Sequence, residues 1–190
     1  MKKGILFLIS GPSGVGKKTI LTDLFDDTSL NLHYSISMTT RPKRPNEIHG
    51  KDYYFVDKDF FLQEIEKHNM LEYAEFFNNF YGTPKPIVEK MLAEGKNVLL
   101  EIEVIGAQQI MELMPDCVTI FILPPSIDEL KNRLIMRQTE TIDLIEKRLE
   151  KARKEIKLQD IYQHKIYNFV ATDAANELKK IIKAEILARK

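Results

Sequence analysis

The nine residues Gly11-Pro12-Ser13-Gly14-Val15-Gly16-Lys17-Lys18-Thr19 restrict what this chain can fold into more than any other stretch. The run 4–10 before them is short and apolar and reads as a buried strand, and residues 19–25 after them carry apolar side chains at helical spacing. A glycine-rich turn between such a strand and a helix is the setting of a phosphate-binding loop. Gly11 and Gly16 permit its tight curvature, and backbone N–H groups at the helix start face anionic oxygens. Lys17 adds a positive charge for the β- and γ-phosphates of a nucleoside triphosphate. One position departs from the pattern. Residue 18 should be a Ser or Thr that ligates magnesium, and it is Lys18, whose ammonium has no lone pair to offer.

Further along, residues 33–37 alternate like a strand and open into a loop broken by Pro42, Pro45 and Gly50, with a strand at 53–56. Asp57 can cap a helix whose apolar positions Phe60, Phe61 and Ile65 share one face. Residues 71–77 and 80–83 read as strands about the turn Asn78-Asn79, and Pro86 opens a helix that Gly95 closes. Buried strands return at 98–103, which ends in Glu101 and Glu103, and at 117–123, halted by Pro124-Pro125. Ser126 caps a helix over 127–136, a long charged helix runs 142–158, and 167–171 and 176–189 read as the last strand and helix. Strands alternating with helices predict an α/β fold, a three-layer parallel-sheet core with right-handed crossovers. The antiparallel-looking segment 34–95 is expected to be a small mixed-β lobe inserted between 4–33 and 96–185.

The 190 residues suffice for one such domain over 4–185. With 28 Lys and Arg against 28 Asp and Glu, no broad field favours nucleic acid or a membrane surface, so neither is expected as a partner. The apolar run near the N-terminus is too short to span a bilayer or to act as a secretory leader. The one cysteine, Cys117, sits in an apolar run and allows no intrachain disulfide, which suits the cytoplasm. His33, His49, His68 and His164 have no ligand spacing, and none is expected in catalysis.

The inserted lobe carries the second chemical constellation. Arg41 and Arg44 lie three apart in a proline-stiffened loop, with Ser37 and Tyr53 nearby. Guanidinium groups bind phosphate bidentately, and hydroxyls can complete the shell, so these residues could hold a second, smaller phosphate. Glu72, Tyr81 and Thr83 follow. A fixed carboxylate accepting from N1–H and the exocyclic N2 amine favours guanine, because adenine presents an acceptor at N1.

The loop 11–17, the run Ser35-Ile36-Ser37-Met38-Thr39-Thr40-Arg41-Pro42-Lys43-Arg44, Gly50-Lys51-Asp52-Tyr53, Tyr81-Gly82-Thr83 and Pro124-Pro125-Ser126 together closely resemble the guanylate kinase family, in the family's order and over nearly the whole chain. The resemblance implies transfer of the ATP γ-phosphate to GMP, and to dGMP, giving ADP and GDP with magnesium, in purine nucleotide metabolism. It implies ATP binding by Gly11, Pro12, Ser13, Gly14, Val15, Gly16, Lys17, Lys18 and Thr19. It assigns Ser37, Arg41, Arg44, Tyr53 and Tyr81 to the GMP phosphate, and Glu72 and Thr83 to guanine. Glu101 and Glu103 match the acidic pair that closes the family's central strand, between magnesium water and guanine. Arg133, Arg137 and Arg148 match the arginines of a helical lid over about 130–157, and with Lys17 and Arg41 they form the expected catalytic set. Ile105 stands where the family has Gln, and Thr172-Asp173 where it has Asn-Asp near adenine, which weakens that contact. Family members are often dimers, which leaves room for a homodimer. Two rivals stay open: a non-catalytic interaction module on the same scaffold, and a kinase of another small phosphorylated acceptor.

Overall fold

The structure is a computed structural model and describes residues 2–22, 24–76, 78–136 and 141–189. Its elements are β1 (Leu6–Ser10), α1 (Lys17–Leu21), β2 (Leu32–Tyr34), β3 (Met38–Thr39), β4 (Tyr54–Phe55), α2 (Lys58–Glu66), β5 (Met70–Phe76), β6 (Asn79–Pro84), α3 (Lys85–Ala93), β7 (Asn97–Glu101), α4 (Val104–Leu113), β8 (Val118–Leu123), α5 (Ile127–Met136), α6 (Ile142–Ile156), β9 (His164–Tyr167) and α7 (Ala171–Ala188). Five strands form a parallel sheet in the order β2-β7-β1-β8-β9, and four form a separate mixed sheet in the order β4-β3-β6-β5. The α/β class expected from the alternation is therefore what is found. Contacts divide the chain into two compact units, one of Met1–Leu6, His33–Leu100 and Ile105–Cys117, the other of Phe7–Leu32, Glu101–Val104 and Val118–Lys190.

In the second unit, β1 pairs with β8 from Phe7↔Val118 to Ser10↔Phe121, and β8 pairs with β9 from Ile120↔His164 to Leu123↔Tyr167. Phe7, Leu8, Ile9, Val118, Ile120, Phe121 and Ile122 have no exposed surface, as expected of parallel strands covered on both faces. Each such side chain contributes about 1.5–3 kcal/mol by leaving water. Ala174, Leu178 and Ile182 recur at four-residue spacing as the buried stripe of α7. Leu130 and Leu134 of α5 pack on Ile145, Leu149 and Ala152 of α6 as a small core of their own.

Two expectations for this unit need correction. The first helix is shorter than its apolar spacing implied: Thr22 Oγ donates back to the Lys18 carbonyl (3.0 Å), and a 3-10 turn, Leu24–Asp26, follows. The last strand lies at His164–Tyr167 rather than 167–171, because Ile166 is the buried residue whereas Phe169 and Val170 are exposed. Apolar character alone misplaced it, and α7 accordingly starts at Ala171 rather than 176.

Asp27 ties the turn Thr28–Leu30 to α7. It accepts from Lys179 Nζ (2.7 Å), Lys183 Nζ (3.1 Å) and Ser29 Oγ (2.5 Å), and the lysine and serine hydrogen bonds hold its carboxyl far below its ordinary value of 3.8. A depressed folded-state pKa stabilises the fold fully above the unfolded value, and the effect fades as pH drops below it. Asp27→Asn should thus lower the thermal midpoint at pH 7, with the gap from wild type closing below about pH 4. A gap that stays constant down to pH 2 contradicts this role.

In the first unit, β3 pairs in parallel with β4 and antiparallel with β6, which in turn pairs antiparallel with β5. Their core is Met38, Phe61 and Met70, flanked by Tyr54, Val56, Ile65 and Phe80. Asp57 caps α2 as expected, Oδ1 accepting from the Phe60 N–H at 2.8 Å. Phe60 itself is 41% exposed, so the stripe of that helix is Phe61 and Ile65 without it. Gly82 of β6 is a close approach: a Cβ there would meet the Glu72 carbonyl oxygen at 2.6 Å and Met70 Cε at 2.5 Å.

Candidate active site

The loop between β1 and α1 folds as its glycines allow. Gly16 has φ 96°, a left-handed conformation that disfavours any side chain, and a Cβ there would lie 2.7 Å from Asn168 Nδ2. The Lys17 ammonium donates to the carbonyls of Gly11 (2.6 Å) and Pro12 (3.4 Å). Burial lowers its pKa, and the charges of Glu101, Glu155 and Glu103 act in the opposite sense. Pro12 and Val15 are buried, Gly14 is half-buried, and Ser13, Lys18 and Thr19 are exposed. Lys18 lies on the outer side of the first helical turn rather than enclosed with Lys17.

Two of the three expected lid arginines touch this loop. Arg148 Nη1 donates to Ser13 Oγ at 3.0 Å. Arg133 is a fixed strut: Nε donates to Glu129 (3.0 Å), Nη1 to the Val15 carbonyl (3.4 Å) and Nη2 to the Asn168 carbonyl (3.1 Å). Arg137 lies outside the described residues. Glu101, half-buried, ends β7, and the exposed Glu103 accepts from Lys151 Nζ of α6 at 2.8 Å. Lys151 also stands 3.8 Å from Glu155, whose carboxyl burial pushes above its ordinary pKa. Among the described residues no three His, Cys, Asp or Glu side chains gather as a metal site. Glu101 and Glu103 near the Lys17 loop nonetheless suit magnesium, which keeps several waters and needs few protein ligands.

The other unit gathers the second set. Arg41 Nη1 donates to the Pro42 carbonyl (2.7 Å) and Nη2 to Glu47 Oε1 (2.6 Å), with the guanidinium 5.7 Å from both the Tyr53 and Phe55 ring centroids. Tyr53 and Tyr81 meet edge to face at 6.2 Å. Ser37, half-buried, uses its carbonyl to accept from Tyr54 N–H, one residue before β3, while the Arg44 side chain is exposed. Register places Thr83 opposite Glu72, and Tyr81 and Thr83 share one face of β6. Glu72 is 9% exposed and Thr83 1%, and Thr83 Oγ donates to Glu72 Oε1 at 2.7 Å. An ionised carboxylate only accepts hydrogen bonds, so this pair suits a ligand that offers N–H donors.

Sequence reasoning missed Asn168. Its Nδ2 donates to the Val15 carbonyl (2.7 Å), its Oδ1 is buried without a hydrogen-bond partner, and its carbonyl accepts from Arg133. Thr172, which stands where the family has Asn near adenine, is exposed in the first turn of α7, and the asparagine beside the loop is Asn168. The available signal was an Asn just past the carboxyl end of a parallel strand, hidden because the last strand was expected over 167–171. Ile105 is 66% exposed on α4.

Comparison with known proteins bears on the whole chain. The family pattern described as guanylate kinase matches residues 3–185. Curated guanylate kinases from Oceanobacillus iheyensis and Malacoplasma penetrans are 50% identical over 188 residues and 49% identical over 191. Those alignments cover 99% and 100% of this chain and 91% and 97% of the relatives. A crystal structure of guanylate kinase from Anaplasma phagocytophilum superposes with a TM-score of 0.73 at 35% identity, covering 97% of this chain and 87% of that one. This chain belongs to the guanylate kinase family.

Proposed function

We propose that the protein transfers the γ-phosphate of ATP to GMP, and to dGMP, giving ADP and GDP in purine nucleotide metabolism. The observation that carries this reading is the buried Glu72–Thr83 pair in the same compact unit as Arg41, Tyr53 and Tyr81, in a chain that also holds the glycine loop with Lys17. Guanine offers two adjacent N–H donors to a carboxylate, and the arginine with its tyrosines offers an anion site to the 5′-phosphate.

In this reading residues 11–19 bind ATP through backbone N–H groups and the Lys17 charge, and Asn168 braces the loop from behind. Arg41, Arg44, Ser37, Tyr53 and Tyr81 hold the acceptor phosphate, and Glu72 and Thr83 read the base. Arg148, at Ser13, and Arg137 neutralise charge that spreads over the transferred group, while Arg133 holds the loop's shape. Phosphoryl transfer leaves the protein mainly positioning and charge stabilisation to supply. Magnesium, when bound with ATP, supplies charge neutralisation at the phosphates, and Glu101 and Glu103 would orient its waters. Lys17, half-buried at the loop and supported by the charges of Glu101, Glu155 and Glu103, speaks against a non-catalytic interaction module, and Glu72 with Thr83 against an acceptor without guanine. Among the described residues no helix is long and apolar enough to cross a membrane, and the lone buried thiol of Cys117 supports a cytoplasmic setting.

The test is product identity. ATP and GMP together should yield ADP and GDP in equal amounts, whereas ADP formed without any phosphorylated acceptor would overturn the proposal. Lys18 adds a discriminating variant. Because it is exposed and cannot ligate a metal, Lys18→Gly should keep magnesium-dependent turnover within about tenfold, a barrier change of about 1.4 kcal/mol or less. Collapse of that variant across a magnesium titration would place essential charge stabilisation on Lys18.

A further inference from the structure

Glu47 lies within the proline-stiffened loop and belongs to none of the constellations above. Its carboxylate has two engagements of different kinds. Oε1 accepts from Arg41 Nη2 at 2.6 Å, and Oε2 accepts from the backbone N–H of Arg44 at 2.9 Å. The Glu47 N–H in turn donates to the Arg44 carbonyl at 3.1 Å, closing a turn over Arg44-Pro45-Asn46-Glu47. Both side chains of the ion pair are largely covered, 15% exposed for Arg41 and 17% for Glu47. The pairing raises the arginine's pKa and holds the Glu47 carboxyl below its ordinary range.

We infer that Glu47 is the positioning residue of the acceptor-phosphate site, fixing the Arg41 guanidinium to the backbone of Arg44 so that both arginines await the substrate in place. A guanidinium has five N–H groups in one plane. Glu47 and the Pro42 carbonyl each take one, at Nη2 and Nη1, which leaves N–H groups for a phosphate. The Tyr53 and Phe55 rings border the guanidinium at 5.7 Å, and Glu47 fixes its Nη2 end. A free arginine loses side-chain entropy when it clamps a ligand, and one already held loses less, so the benefit appears in affinity for the acceptor. Glu47 reaches the substrate only through Arg41 and the loop.

The inference rests on the assignment of Arg41 to the GMP phosphate, and a double-mutant cycle separates failure of that assignment from failure of this one. Steady-state kinetics are measured for wild type, Glu47→Gln, Arg41→Ala and the double variant, with the thermal midpoint of each. Gln keeps an acceptor for the Arg44 N–H and removes the charge. The expected result is a KM for GMP raised about tenfold by Glu47→Gln, a KM for ATP and a kcat changed by less than about threefold, and an unchanged midpoint. On the Arg41→Ala background Glu47→Gln should add less than about twofold. Should Glu47→Gln lose its melting transition, Glu47→Asp, which keeps the charge and shortens the reach, takes its place with the same expected cycle. A KM for GMP that is unchanged or lowered, or a full tenfold effect that persists without Arg41, overturns the positioning role. An Arg41→Ala variant with wild-type KM for GMP overturns instead the phosphate-site assignment beneath it.

Discussion

Lys17→Ala is expected to lower turnover by about 10²–10³-fold with the fold intact, the cost of removing one preorganised electrostatic contact from a phosphoryl-transfer site. The expectation rests on where the ammonium sits. It is half-buried at the loop, donates to the Gly11 and Pro12 carbonyls, and its charged form is opposed by desolvation yet supported by Glu101, Glu155 and Glu103. A cation held so against its own burial costs the apo fold something and is useful only when anionic oxygens arrive. Its removal therefore should not lower the thermal midpoint by more than a few degrees. Retention of more than about a tenth of wild-type turnover would sink the assignment of Lys17 to the donor phosphates.

Glu72→Gln should have the second-largest effect, and on selectivity rather than on the chemical step. The wild-type carboxylate is acceptor-only and already takes the Thr83 hydroxyl at 2.7 Å inside a nearly closed environment. A glutamine can still accept from Thr83, but its other atom becomes an NH₂ donor facing the N1–H and N2 amine of guanine. Hydrogen bonds to a charged group are worth about 1.5–3 kcal/mol, so kcat/KM for GMP should fall by about 10–100-fold. The ratio of GMP to AMP should fall by at least about tenfold, since adenine presents an acceptor at N1 and loses nothing by the change. An unchanged ratio would make Glu72 a structural residue that merely pairs with Thr83.

The parts of the fold visible in the sequence are those with strong local rules. The α/β alternation, the cap at Asp57, the cap at Ser126 (accepting from the Glu129 N–H at 3.0 Å) and the left-handed glycine that closes α3 at Gly95 all follow from local chemistry. The positions misread were those where apolar character did not mean burial. Phe169 and Val170 look like strand and are exposed, while the strand is made of the mixed run His164–Tyr167 with only Ile166 fully enclosed. That shift put Asn168 inside the expected strand rather than just past its end. Glu47 escaped because its role depends on a turn that brings residue 47 back to residues 41 and 44, which composition does not disclose. Arg133 was visible as a lid arginine, but its contacts with the Val15 and Asn168 carbonyls come from tertiary packing alone.

The most direct test of guanine-specific phosphoryl transfer is kcat/KM for GMP, dGMP, AMP, CMP and UMP as acceptors with saturating ATP and magnesium. A site built to accept two hydrogen bonds from the base on a carboxylate should reject bases lacking the paired donors by about 10³-fold or more. The account predicts GMP and dGMP as substrates and the other three at least about 10³-fold poorer. Comparable turnover of AMP, or no transfer to GMP at all, would contradict it.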